Sequence, residues 1–206
     1  SRQQGFDSPW GCSIKHVNKS KDINKPKSNI EHSCKPDIIT EIPEGDNRPR
    51  SICKNCGKIF YENPKVVSGC LLVWENKILM CRRAIEPREG RWTLPAGFLE
   101  NNETVSEGAL RETFEEAGAT SDKIDLFFMC DLPHISQIYM MYVGMLKEGK
   151  FSAGIESHEV KLFSIDEIPW NDLAFEVIER TLKLYIDDNK KGTIGLHFDK
   201  IDKRDE

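Results

Sequence analysis

The chain has 206 residues, 38% hydrophobic and 31% charged, and its 34 acidic against 29 basic side chains give a formal net charge of −5. That is room for one domain with an appendage or for two small ones. The negative balance excludes a general electrostatic grip on nucleic acid. No apolar stretch approaches the roughly 18 residues of a membrane span. Seven scattered cysteines, an odd number, argue against a secreted disulfide scaffold and for reduced thiols or a metal.

In chain order, residues 1–30 carry six Lys and Arg against Asp7 and Asp22, with five Ser and no apolar periodicity. That composition fits a transit peptide or its remnant, and equally a plain disordered arm. Residues 31–64 form a turn-rich module. In it, Cys53-x2-Cys56-Gly57 is half of a zinc ribbon, with glycine where such a knuckle turns. Cys34 supplies a third sulfur. Glu31 or His32, or more remotely Cys12, stands as a fourth ligand, and a lost metal site is the alternative. Residues 66–74 and 78–83 read as a hairpin closed by Glu75-Asn76-Lys77. Thr104 with Glu107 is a capping box that opens a helix stopping at Gly118. Residues 124–130, 135–146 and 159–163 are strand-like. Ser164 and Glu167 repeat the capping box on a single turn. An amphipathic helix runs from Asp172 to about Asn189 with Gly192 as its stop, and residues 190–206 read as a loose polar tail. The order predicts a mixed α/β domain behind a small Cys-bearing module.

The first helix holds the chemistry. At about 100° per residue, Glu115 and Glu116 lie at about −60° and +40° from Glu112, so three carboxylates share one stripe. Leu110, Thr113, Phe114 and Ala117 fall opposite, on the expected buried side. Like charges so spaced repel, and a hard divalent cation such as Mg²⁺, which takes carboxylate oxygens and meets phosphates, removes that cost; a solvated acidic face is the alternative. Arg111 is placed to fix a carboxylate rotamer. Gly108 leaves room beside the metals. Gly97 allows close backbone approach and offers a carbonyl ligand.

Gly97-x5-Glu103-x7-Arg111-Glu112-Thr113-Phe114-Glu115-Glu116-Ala117-Gly118-Ala119 resembles the Nudix box, G-x5-E-x7-R-E-U-x-E-E-x-G-U, with all seven fixed letters in place. At a frequency of about one in fifteen per letter, chance gives such a match on the order of once in a million chains. Thr113, where the pattern prefers an aliphatic residue, is the main departure. The resemblance implies an α/β/α sandwich around a mixed sheet over residues 65–189, preceded by a zinc-ribbon-like module. It also implies Mg²⁺- or Mn²⁺-dependent hydrolysis of a nucleoside diphosphate linked to another moiety. Glu112, Glu115, Glu116 and Gly97 would then be metal-binding, with Arg111 supporting them.

Tyr61-Glu-Asn-Pro-Lys65, Cys81-Arg-Arg-Ala-Ile-Glu-Pro87, Trp92-Thr-Leu-Pro-Ala-Gly97 and Glu167-Ile-Pro-Trp170 look like one subgroup of that family. It has an N-terminal segment with an earlier Cys-x2-Cys, whose first position is Glu31 here. It includes the plant plastid FAD pyrophosphatases, which also act on ADP-ribose. What this implies is cleavage of FAD to FMN and AMP, of ADP-ribose to AMP and ribose 5-phosphate, or of both. It also implies a plastid location, with mitochondrion and cytoplasm as alternatives, and leaves a homodimer open. Hydrolysis of NADH or a dinucleoside, or a silent nucleotide-binding module, are the competing readings. In similar enzymes a loop glutamate reaches the metals or acts as base, which points to Glu159 with Glu156 behind it. Arg82 and Arg83 are candidates to neutralise phosphate. Phe98, Tyr139 and Trp92 are candidates for the aromatic platform that a ring needs.

Overall fold

The computed structural model describes residues 34–202, and the chain divides after Tyr61 into two units. The basic segment 1–30, Cys12 and the alternative zinc ligands Glu31 and His32 lie outside the described residues.

In the first unit, β1 (Ile38–Glu41), β2 (Arg50–Cys53) and β3 (Ile59–Phe60) form an antiparallel sheet in that order. Ile52 and Cys53 are its buried apolar residues, far too little to hold a fold by the hydrophobic effect alone. Gly57, at φ +71°, turns the chain so that its N–H donates to the Cys53 carbonyl at 2.8 Å. A β-carbon is disfavoured at such a backbone angle.

The second unit is an eight-stranded mixed sheet between two helices. Its strands are β4 (Lys65–Trp74), β5 (Lys77–Arg83), β6 (Trp92–Thr93), β7 (Ala96–Phe98), β8 (Ile124–Leu132), β9 (Gln137–Met145), β10 (Ser157–Phe163) and β11 (His197–Lys200). The order is β10-β5-β4-β9-β8-β11, with β6 on β5 and β7 on β4. The β4–β9 and β8–β11 pairs are parallel. Both faces of β4 are covered, so it is buried almost continuously rather than alternately. Cys70 and Leu72 join Leu79 and Cys81 under Ala109 and Ala117 of α1 (Val105–Ala117). Leu71 and Val73 join Ile78 and Met80 under Val177, Ile178 and Leu182 of α2 (Glu176–Lys191). The expected sandwich is the fold found.

β4 and β5 pair only near their shared turn, at Val73–Ile78 and Trp74–Lys77. Toward the other end of β4, β7 takes over as its partner, with Ser68 opposite Gly97. The opening between β4 and β5 is thus filled by the segment 92–98, which leads to α1.

Three expectations need correcting. The buried stripe of α1 is Gly108, Ala109, Thr113, Glu116 and Ala117, while Phe114 is 62% exposed and Leu110 only partly covered. Small residues let the helix approach the sheet, and the stripe is turned toward the glutamates. α2 starts at Glu176 because residues 170–172 form a separate short turn and Leu173–Phe175 run extended, with the Ala174 N–H donating to the Trp92 carbonyl at 2.8 Å. The polar tail is not loose over 197–201: β11 pairs with β8 and Ile201 is buried.

Candidate active site

α1 is set by its termini. Thr104 accepts from the Glu107 N–H while the Glu107 carboxylate accepts from the Thr104 N–H at 2.8 Å, the reciprocal pair of a capping box. Gly118 closes the helix at φ +55° with its N–H donating to the Phe114 carbonyl. Thr113, buried at an aliphatic position, satisfies its hydroxyl by donating to the Ala109 carbonyl at 2.6 Å.

Arg111 sits at the centre of a carboxylate network. Its Nε and Nη2 donate to Glu103 at 3.0 and 2.8 Å, and Nη2 also reaches the Phe98 carbonyl at 3.1 Å. Its Nη1 donates to both Glu112 (2.7 Å) and Glu115 (2.9 Å). Glu103, a fixed letter of the box with no role assigned from sequence, is therefore the anchor of Arg111. It also accepts from the Glu100 N–H, and these bonds hold its carboxyl down to about 2.

Glu116 is the buried member of the trio, 6% exposed, whereas the Glu115 side chain is 55% exposed. Burial, together with the charges of Glu112 and Glu156, pushes Glu116 up to about 8 against the Ala96 N–H, which donates to its Oε2 at 3.2 Å. Burial likewise raises Glu112, with Arg111 opposing. A β-carbon on Gly97 would lie 2.3 Å from the Glu112 carboxyl, so only glycine permits this approach. Gly108 instead admits Glu103, Leu99 and Ser68, so it serves packing, which corrects the expectation that it leaves room beside the metals. No basic residue occupies the last turn of α1, so the glutamates also face the unfavourable end of the helix dipole. Buried, mutually repelling carboxylates against a bare backbone fit a hard cation.

The remaining predicted residues divide. Arg83 lies near enough to Glu116 for its charge to favour the ionised carboxylate, and its guanidinium covers the Phe175 ring at 5.2 Å. Arg82, next on the strand, donates to the Gly90 carbonyl and pairs in register with Glu159. Glu159 is exposed on β10, and the loop acid whose charge acts on Glu112 and Glu116 is Glu156. Phe98 is 49% exposed beside Gly97 with the Lys65 ammonium 5.1 Å from its ring. Trp92 belongs to the core on the α2 side, and Tyr139 packs against that core, partly buried, near enough to Arg83 and Glu116 for their charges to act on it. Trp92 is thus a core residue, its ring edge-on to Phe163 at 4.8 Å.

In the other unit, the sulfurs of Cys34, Cys53 and Cys56 lie within 4.8 Å of one another, with Cys34 and Cys53 at 3.5 Å. Backbone N–H groups of Asp37, Cys56 and Asn55 hold the Cys53 thiol well below its ordinary range, the state a metal ligand needs. Among the described residues this trio is already converged as three of the four ligands of a tetrahedral zinc site.

Residues 63–183, more than half of the chain, match the family described as NUDIX domain, and residues 32–62 match the one described as Nudix N-terminal. A NUDIX hydrolase from Nitrosomonas europaea, known from its crystal structure, is similar at 51% identity and a TM-score of 0.80, over 84% of this chain and 98% of that one. An ADP-ribose pyrophosphatase of Methanocaldococcus jannaschii is 30% identical over 133 residues, 62% of this chain and 76% of the relative. A NAD-capped RNA hydrolase, NudC of Chromobacterium violaceum, is 24% identical over 64% of this chain, which spans 49% of that relative's length.

Proposed function

The chain belongs to the NUDIX family of hydrolases, and from that premise we propose that it cleaves the pyrophosphate of ADP-ribose to AMP and ribose 5-phosphate. The observation that carries the reading is the pair of carboxylates, buried Glu116 and half-buried Glu112, crowded against the backbone of Ala96 and Gly97. Glu112, Glu115, Glu116 and the Gly97 carbonyl are the groups that would hold Mg²⁺ or Mn²⁺. Once bound, such an ion supplies charge neutralisation on the pyrophosphate and a lowered pKa for the attacking water.

The protein's own contribution is orientation and charge. Glu103 fixes Arg111, and Arg111 fixes the rotamers of Glu112 and Glu115. Arg83 offers a positive charge on the approach to Glu116. Of the two loop acids, Glu159 and Glu156, the charge that Glu156 exerts on Glu112 and Glu116 favours it as the loop carboxylate, with an oxygen to accept a proton from water. ADP-ribose is favoured over other diphosphates by the likeness to a named ADP-ribose pyrophosphatase. NADH is the second reading: a relative named as a NAD-capped RNA hydrolase favours a nicotinamide dinucleotide. FAD shares the bond chemistry and has no separate support in the site.

Product analysis decides. ADP-ribose, FAD and NADH are incubated separately in one Mg²⁺ buffer and the products separated by chromatography. AMP released fastest from ADP-ribose is the expected result. Faster release from FAD or NADH overturns the substrate reading, and no AMP from any of the three overturns hydrolysis. A plastid location, supported by the composition of residues 1–30, is tested by fusing that segment to a fluorescent protein. Diffuse cytoplasmic signal in plant cells contradicts it.

A further inference from the structure

Ile155 is 98% exposed. A single exposed apolar side chain is ordinary; what distinguishes this one is the backbone beneath it. The Ser152 N–H donates to the Ala117 carbonyl at 2.8 Å and the Gly154 N–H to the Glu116 carbonyl at 3.0 Å. On the far side, the Ala84 N–H donates to the Glu156 carbonyl at 2.8 Å, and the Ser157 N–H to Gly154 at 3.2 Å. Gly154 is pressed so hard onto α1 that a β-carbon there would stand 1.7 Å from the Glu115 carbonyl oxygen. The chain then enters β10 through a register shift between Ser157 and Glu159, an irregularity that re-aims side chains and recurs beside active sites.

The segment is thus tied on one side to the residues of α1 that carry the glutamates, and on the other to the residue after Arg83. It cannot fold Ile155 inward without breaking these bonds. This apolar side chain is held out by a fixed backbone one position from Glu156, whose charge acts on Glu112 and Glu116. Of the parts of a nucleoside diphosphate, the phosphates belong with the carboxylates' cation and Arg83, and the sugar is hydroxylated. Only the base offers an apolar face.

We propose that Ile155 is a specificity-determining residue that packs against the planar base of the bound nucleotide. This rests on the reading of the chain as an ADP-ribose hydrolase. Because the contact is made equally before and during reaction, its loss falls on KM rather than on kcat.

The test is steady-state kinetics of Ile155→Ser and Ile155→Leu with ADP-ribose, together with inhibition by each product. Ile155→Ser raises KM by about tenfold with kcat little altered. It weakens inhibition by AMP by the same factor and leaves inhibition by ribose 5-phosphate unchanged, and Ile155→Leu restores both values. An unchanged KM, a fall confined to kcat, or equal weakening of both products overturns the proposal. If the wild type does not cleave ADP-ribose, the substrate reading fails by itself. The base contact is then tested by the shift in melting temperature that AMP gives the wild type: its loss in Ile155→Ser supports the contact, and an equal shift in the two proteins overturns it.

Discussion

Glu116 has one backbone donor, a buried carboxyl and two acidic neighbours, and its pKa rises to about 8 chiefly through burial. An acid that binds its proton more tightly when folded contributes stability below its ordinary pKa of 4.5, and that contribution is lost as pH rises toward 8. In the absence of divalent cation, Glu116→Gln is therefore expected to melt above the wild type at pH 8–9, with the gap closing on acidification; calorimetry over that range checks it, and a gap independent of pH speaks against it. Glu103 behaves oppositely. Arg111 and then the Glu100 N–H hold it down to about 2, so its contribution is full above 4.5 and disappears as pH falls toward 2. Glu103→Gln is expected to melt below the wild type at pH 7 and level with it near pH 2. Gly97→Ala forces a methyl against the Glu112 carboxyl. A displacement of about 1 Å there is expected to lower kcat roughly a hundredfold, and wild-type turnover in that variant would show that the close approach is dispensable.

At the level of elements, α1 was legible because its signals are local: Thr104, Glu107 and Gly118 act within one turn of themselves. Its buried face was not, because apolar patterning assigns Phe114 to the core and sets Glu116 on the opposite side, while the fold exposes Phe114 and buries Glu116. The reversal serves the site, since a carboxylate facing the sheet meets the Ala96 N–H beside Gly97 and feels the charges of Glu112 and Glu156. Glu156 was hard to separate from Glu159 for a related reason: which of two acids reaches α1 depends on how Gly154 seats on Glu115, a contact remote in sequence. β11 carries no apolar periodicity because polar ties hold it. His197 pairs with Asp188 at 2.7 Å, its ring meets Phe127 edge-on at 5.1 Å, and Arg180 bonds Asp199. His197→Ala is expected to speed amide exchange over 197–201 by about tenfold, the loss of roughly one hydrogen bond. Exchange as slow as in the wild type would assign the strand's order to its backbone pairing alone.

At the scale of the whole molecule, the two units rest on different physics. The catalytic unit has cores on both faces of its sheet, whereas among its described residues the small unit has two buried apolar residues and three converged sulfurs, an arrangement that fits a fold stabilised by a bound metal. Elemental analysis is expected to give about one zinc per chain, and Cys53→Ser to release it and melt residues 34–61 in a separate early transition; a metal-free protein with a single unchanged transition contradicts this. The family box was readable from the sequence because helix geometry converts its spacing directly into one cluster around Arg111. The burial that makes the cluster reactive depends on β7, the 146–156 loop and the splayed β4–β5 pair, which are assembled from distant segments. What joins these levels is Glu116, at once the most buried carboxylate of the cluster and one of the proposed metal ligands. Turnover of ADP-ribose by Glu116→Gln in Mg²⁺ buffer therefore decides whether this cluster carries the hydrolysis. A fall in kcat of about 10²–10⁴ in a protein at least as stable as the wild type is predicted, and turnover near that of the wild type would contradict it.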